Sequence, residues 1–219
     1  MDYLEIRRRI DAAATRTGHS ATLLAVSKTK PADAIRALAA QGQHAFGENY
    51  VQEALAKQRE LTDLHLEWHF IGPLQSNKCR EVAENFAWLQ TLDRAKLIDL
   101  LDRFRPAPLP PLNVLIQVNI DDEASKSGCV PDDVSPLAMR IAQSPRLQLR
   151  GLMAIPQPSS DLDVRRNAFR RMRELFDSVK LNYSSVDTLS MGMSDDFELA
   201  IEEGATMVRI GTALFGSRS

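Results

Sequence analysis

The chain has 219 residues, 44% of them hydrophobic, and its 27 basic side chains against 29 acidic ones leave a formal net charge of −2. A chain of this length buries roughly 70–75% of the surface it exposes when unfolded, so it makes a core without metal or disulfide staples. The balanced charge argues against a nucleic-acid binder, no apolar run approaches the roughly 20 residues of a membrane span, and Cys79 and Cys129 are too widely separated for a zinc site.

The opening segment, MDYLEIRRRIDAAATRTG, reads as an amphipathic charged helix over residues 3–16 and lacks the apolar centre of a signal peptide. A short apolar strand, residues 23–28, follows. Pro31 then opens a helix that Gly42 ends, the usual asymmetry of proline at the start and glycine past the end. Residues 45–49 form a second strand and 50–61 a helix. Residues 67–72 form a third strand, before a helix that Ser76 is placed to cap. A fourth strand spans 88–93, with Asp93 set to cap the helix AKLIDLLDRF. The proline-rich piece 105–111 is a stiff connector. Residues 112–119, apolar and β-branched, are the plainest strand. A helix near 132–143 leads to strand six at 147–156, and a helix near 164–179 follows it. Strand seven covers 188–193, the helix DDFELAIEEG comes next, and 206–211 is strand eight.

Eight strands in 219 residues, about 27 residues per strand–helix unit, match a single (β/α)8 barrel domain over residues 1–219. Only ALFGSRS follows strand eight, so the N-terminal helix is expected to cover the closing seam. The alternative, an open doubly wound sheet, is weakened because no G-x-G-x-x-G turn follows strand one.

Barrel active sites lie at the carboxyl ends of the strands. Lys28 closes an otherwise uncharged strand. Strands one and eight are neighbours in a closed barrel, so Lys28, Arg209, Ser194 and the backbone of Gly211 and Thr212 should converge on one mouth. A lysine at a low-dielectric rim is disfavoured as a cation, which frees its neutral amine to attack a carbonyl, and Lys30 adds like-charge repulsion. Such an amine forms Schiff bases with sugars or with pyridoxal phosphate. The main chain at Gly211–Thr212 and the Ser194 hydroxyl suit a phosphate.

Other polar residues read as structure. His65 and His69, four apart in a strand register, lie about 13 Å apart at roughly 3.3 Å per residue, too far to share a metal. Arg7-Arg8-Arg9 reads as a wet helix face. The basic run RRNAFRRMR is no more than a minor candidate for a nucleic-acid contact at this overall charge. The acidic runs at 121–123 and 195–196 read as solvated loop charge or first-turn acids. Lys126 lies in the loop after strand five, near the expected mouth.

Seven motifs occur in order: AVSKTKP, FGENYVQEA, WHFIGPLQSNK, LIQVN followed by EASKSG, LRGLMAIP, LSMGMSDDFELAI and VRIGTALFG. Over residues 24–216 the chain closely resembles the YggS/PROSC family, the pyridoxal phosphate homeostasis proteins. The resemblance implies a barrel like the N-terminal domain of alanine racemase. It also implies pyridoxal 5'-phosphate held as a Schiff base by Lys28, with Ser194, Gly211 and Thr212 on the phosphate. Arg209 is similar to the alanine racemase arginine that faces the pyridine nitrogen, and Asn49 and His69 are expected at the rim. The family is not known for turnover and is linked to cofactor supply and amino-acid balance.

A guanidinium only donates hydrogen bonds, so a ring nitrogen facing Arg209 should stay unprotonated and be a weak electron sink. That disfavours transamination-type chemistry. The main alternative is an amino-acid racemase, which needs a second acid/base on the far face. Alanine racemase takes that tyrosine from a further domain, and of the three tyrosines here only Tyr50 starts beside the mouth, where it reads as packing. A Schiff-base aldolase is least favoured, because strand six carries no lysine. The expected partners are pyridoxal phosphate and the apoenzymes that would receive it, with no nucleic acid and no membrane. The chain is expected to be a cytoplasmic monomer.

Overall fold

A computed structural model describes residues 2–121 and 127–216. The first helix, α1 (Tyr3–Thr17), is capped by Asp2, whose carboxylate accepts from Glu5 N at 2.7 Å, and ends at Gly18 in the left-handed region. It buries Tyr3, Ile6, Ile10 and Ala13, the i, i+3, i+4 stripe of a helix lying on a core. Strands and helices then alternate: β1 (Thr22–Val26), α2 (Ala32–Ala39), β2 (Ala45–Glu48), α3 (Val51–Glu60), β3 (Glu67–Phe70) and α4 (Cys79–Asn85). The second half continues with β4 (Trp88–Leu92), α5 (Ala95–Phe104), β5 (Leu112–Val118), α6 (Val134–Ala142), β6 (Leu147–Ala154) and α7 (Leu162–Lys180). Last come β7 (Thr188–Ser190), α8 (Phe197–Glu202), β8 (Met207–Ile210) and the one-turn α9 (Thr212–Phe215).

All strand pairs are parallel, and β8 returns to β1 in register from Thr22↔Met207 to Ala25↔Ile210, closing the barrel. As expected, α1 covers the seam, packing on α8 and β1. Arg9 contradicts its reading as a wet face. Its guanidinium pairs with Glu198 at 2.5 Å and lies over the Phe197 ring, because the last turn of the barrel leaves α8 within reach of α1.

The caps differ from expectation. Asp93 does not cap α5. Its carboxylate accepts from Arg94 Nη1 at 2.6 Å, and Arg94 occupies the cap position. Ser76 lies inside a 3-10 turn, Ser76–Lys78, that precedes α4. Two arginines of α7 form ion pairs to the end of α8: Arg166 contacts Glu203, and Arg170 lies 3.6 Å from the same carboxylate.

Two cores result. The larger lies between strands and helices and holds Phe46, Phe70, Phe86, Phe169 and Phe176. The barrel interior holds two small apolar clusters, Leu24, Ile71 and Met207, and Trp88, Leu115 and Met153. Buried polar residues run between them. Among the described residues no helix is long and apolar enough to cross a membrane, and no group of three or more His, Cys, Asp or Glu could hold a metal.

Candidate functional site

Lys28 stands on the turn after β1, and that turn is braced from outside the barrel. Ser27 N donates to Gly47 O at 3.0 Å, and Thr29 takes a left-handed conformation, φ 64°, a rare state for a β-branched residue. The Thr29 amide donates to Glu53 Oε1 at 2.6 Å. Lys57 of α3 donates to Glu53 Oε1 at 2.5 Å, to Glu48 Oε1 at 2.7 Å and to Ser27 O at 2.8 Å. Ser27 Oγ also donates to Glu48 Oε1, at 2.6 Å. Burial pushes the Glu48 carboxyl above its ordinary value, with Lys57 and Ser27 pulling the other way. These contacts fix the strained turn, and with it the direction of Lys28.

The adjoining wall comes from β7 and β8. Strand β7 stops at Ser190, three residues short of expectation, because Gly192 turns with φ +91°. A Cβ there would lie 2.5 Å from Ala200 Cβ, so only glycine lets the chain dive under α8 and bring Ser194 to the mouth. Ser194 Oγ accepts from Ala213 N at 3.4 Å, tying the end of β7 to α9. Met193 N donates to Asp196 Oδ1 at 2.7 Å, so this acid, at the N-cap position of α8, turns its carboxylate back to the loop and does not cap the helix. Asn49 follows β2, and Gly72 follows β3 so closely that a Cβ at position 72 would sit 2.1 Å from Asn49 O.

Arg209 points inward from β8 and is buried. Its Nη1 donates to Ser190 Oγ and its Nη2 to Ala154 O, each at 2.8 Å. Burial pulls its pKa down to about 10, with Asp196 opposing, so the group remains a cation at neutral pH.

Six of the seven residues expected at the site meet in one cavity of about 290 Å³: Lys28, Asn49, Ser194, Arg209, Gly211 and Thr212. That is near the lower end of the range for small-ligand pockets. A second hollow of about 270 Å³, walled by Thr91, Gln117 and Ser127, adjoins it through Asn49, Ile71 and Ile155. Asn49 Oδ1 is buried with no hydrogen-bond partner among the described residues, an acceptor facing a site that calls for a donor.

The seventh residue, His69, is not at the rim. The pleat of β3 turns Trp68 and Phe70 outward against Phe46 and Phe86, so His69 projects into the barrel below the mouth. There it is fully buried and stacks on Trp88 at 5.0 Å between centroids. Tyr50, expected to pack, is 58% exposed and lines neither hollow. Lys126 and the acids at 122 and 123 lie outside the described residues.

Sequence reasoning missed Glu48, Glu53 and Lys57. The signal was present in FGENYVQEALAK, as a charge on a strand otherwise apolar and an i,i+4 acid–lysine pair on the next helix. It also missed Gln90 and Ser190, whose inward direction follows only from strand register.

The family model for the N-terminal domain of alanine racemase matches residues 1–219. The pyridoxal phosphate homeostasis protein of Pseudomonas aeruginosa is 59% identical over 206 residues, 94% of this chain and 88% of that protein. The protein of the same name from Escherichia coli K12 is 56% identical over 220 residues, 98% of this chain and 94% of that one. The structure of PipY from Synechococcus elongatus with pyridoxal phosphate bound superposes with a TM-score of 0.84 at 38% identity, covering 96% of this chain and all of that one. The chain therefore belongs to the family of the pyridoxal phosphate homeostasis proteins, barrels of the alanine racemase N-terminal-domain kind.

Proposed function

We propose that this chain binds pyridoxal 5'-phosphate at the barrel mouth, held through a Schiff base to Lys28, and that it carries the cofactor without turning over a substrate. The observation that carries this reading is the convergence of Lys28, Ser194, Gly211, Thr212 and Arg209 on one cavity from three strand ends. The donor set suits the ligand. An amine meets the aldehyde, a hydroxyl and main-chain N–H groups meet the phosphate, and a guanidinium meets the ring nitrogen. The unpartnered Asn49 Oδ1 is an acceptor for the ring hydroxyl. The names of the relatives and the cofactor-bound PipY structure support the same ligand.

Arg209 also speaks against transamination-type chemistry. A cation that only donates leaves the pyridine nitrogen unprotonated, which gives a bound substrate little carbanion stabilisation. Lys28 supplies the amine that condenses with the aldehyde, while Ser194 and the main chain at 211–212 orient the phosphate. On this reading the protein serves cytoplasmic cofactor supply, with pyridoxal phosphate-dependent apoenzymes as recipients and amino-acid balance as the downstream effect. It acts as a monomer built on one barrel domain.

Borohydride trapping of protein loaded with pyridoxal phosphate, followed by peptide mapping, should place the adduct on Lys28. Lys28→Ala should lose the adduct and the imine absorbance while keeping weak, phosphate-dependent binding. An adduct that persists on Lys30 or Lys78 overturns the choice of lysine. Sustained formation of D-amino acids from L-alanine or L-serine overturns the non-enzymatic reading.

A further inference from the structure

The barrel interior contains an unbroken line of hydrogen bonds from the mouth to the opposite end. Arg209 Nη1 donates to Ser190 Oγ at 2.8 Å, and Ser190 Oγ donates to Gln90 Oε1 at 2.8 Å. Gln90 Nε2 lies 2.9 Å from His69 Nδ1, and His69 Nε2 lies 2.9 Å from Glu67 Oε1. The line crosses the barrel from β8 and β7 to β4 and β3.

Its polarity is forced by chemistry. A guanidinium cannot accept and an amide oxygen cannot donate, so Ser190 Oγ receives Arg209 and gives its proton to Gln90 Oε1. The Gln90 amide nitrogen is then the end facing His69, and it can only donate, which makes Nδ1 an acceptor. His69 is therefore neutral with its proton on Nε2, donated to the Glu67 carboxylate. Burial pushes His69 away from its charged form, and the hydrogen bond from His69 holds Glu67 below the usual carboxylate range. Every donor points the same way, from the cation to the anion.

The two ends are unlike. The Arg209 guanidinium is buried and donates to two neutral oxygens, Ser190 Oγ and Ala154 O. The Glu67 side chain is 48% exposed in a hollow of about 440 Å³ at the amino ends of the strands, beside Trp88, Arg150 and Asp187. A solvated carboxylate is thus coupled to a dry cation through three neutral residues, the arrangement that avoids burying a second charge. The His69 ring is kept in line by its stack on Trp88, which Arg150 covers in turn at 4.7 Å.

We propose that Ser190, Gln90, His69 and Glu67 are positioning residues for Arg209, and that the carboxylate of Glu67 at the far end of the barrel tunes the electrostatics at the cofactor ring. This rests on the reading that Arg209 faces the pyridine nitrogen. It makes the amino-terminal end of this barrel more than a stabilising base, because a change in charge there is felt at the mouth.

The test has a cofactor-free arm and a loaded arm. In the unloaded protein, 15N NMR of the imidazole should show His69 neutral and protonated at Nε2. Protonation at Nδ1 overturns the chain. In protein loaded with pyridoxal phosphate, Glu67→Gln should shift the visible absorption maximum of the bound cofactor and speed its loss on dilution about twofold. Gln90→Met, which cuts the line at its centre, should speed that loss by about two- to tenfold, the fold-change of one net hydrogen bond. Asp99→Asn, a neutralised surface carboxylate that pairs with Arg140 outside the line, should change neither. Glu67→Gln indistinguishable from wild type, or Asp99→Asn acting like it, overturns the proposal. A wild-type protein that takes up no pyridoxal phosphate defeats the reading beneath it instead.

Discussion

The two basic side chains that meet at the mouth are held in opposite ways. The turn that carries Lys28 is braced from outside the barrel by full charges, Glu48, Glu53 and Lys57, packed between β2 and α3. Arg209 is braced from inside by neutral dipoles, Ser190 and the Ala154 carbonyl, with Gln90 and His69 beyond. The difference follows from what each space is made of. A helix laid across a strand can extend a lysine to a buried carboxylate, so opposite charges meet directly. The interior receives side chains from strands alone, each fixed in direction by the pleat, and a second buried charge there would lose its hydration without a partner at good geometry. A hydroxyl and a main-chain carbonyl satisfy the guanidinium at lower desolvation cost, with the amide and the imidazole behind the hydroxyl.

The contrast breaks most sharply at Lys57. Lys57→Met strands the Glu48 carboxylate, already raised by burial, and should destabilise the fold by about 3–5 kcal/mol, as removal of one partner of a buried pair does. A loss below about 1 kcal/mol in denaturant unfolding would mean that water reaches the cluster. Next in size is Arg209→Gln, which removes the charge-assisted bonds to Ser190 and Ala154. Equilibrium dialysis should show cofactor retention weakened by about 1.5–3 kcal/mol, with the fold intact. Unchanged retention and an unchanged spectrum would remove Arg209 from the ring.

The smallest effect is on pH dependence. Folded His69 binds a proton less readily than the unfolded chain does, because burial disfavours the imidazolium. Its contribution to stability is therefore complete above the ordinary imidazole pKa of about 6.5 and is lost as pH falls from there toward the lower folded value. The slope is at most about 1.4 kcal/mol per pH unit. Thermal unfolding of wild type beside His69→Gln measures it, and parallel profiles below pH 6.5 would show a histidine that titrates normally.

Much of this was legible in the chain itself. The alternation of apolar strands with helices, the lysine closing β1, the serine after β7 and the glycine after β8 identify the barrel and five residues of its mouth, because each is a local signal that survives folding. His69 shows where such signals stop. Its motif puts it on the right strand, but whether it faces the rim, the helices or the interior depends on where β3 ends and on which way its pleat turns. The Asp93 and Ser76 caps failed for a related reason, since in the folded chain Asp93 met a neighbouring guanidinium and Ser76 fell within a 3-10 turn.

Sequence alone determined the order of elements, the closing helix and the chemical kinds of group at the mouth, since these depend on spacing along the chain. Tertiary structure decided what each charge touches: Lys57 with Glu48, Arg9 with Glu198, and Arg209 with the neutral hydroxyl of Ser190. Those partners lie 9, 189 and 19 residues apart. Only the registers of a closed sheet, and the helices laid over it, bring such distances down to a hydrogen bond.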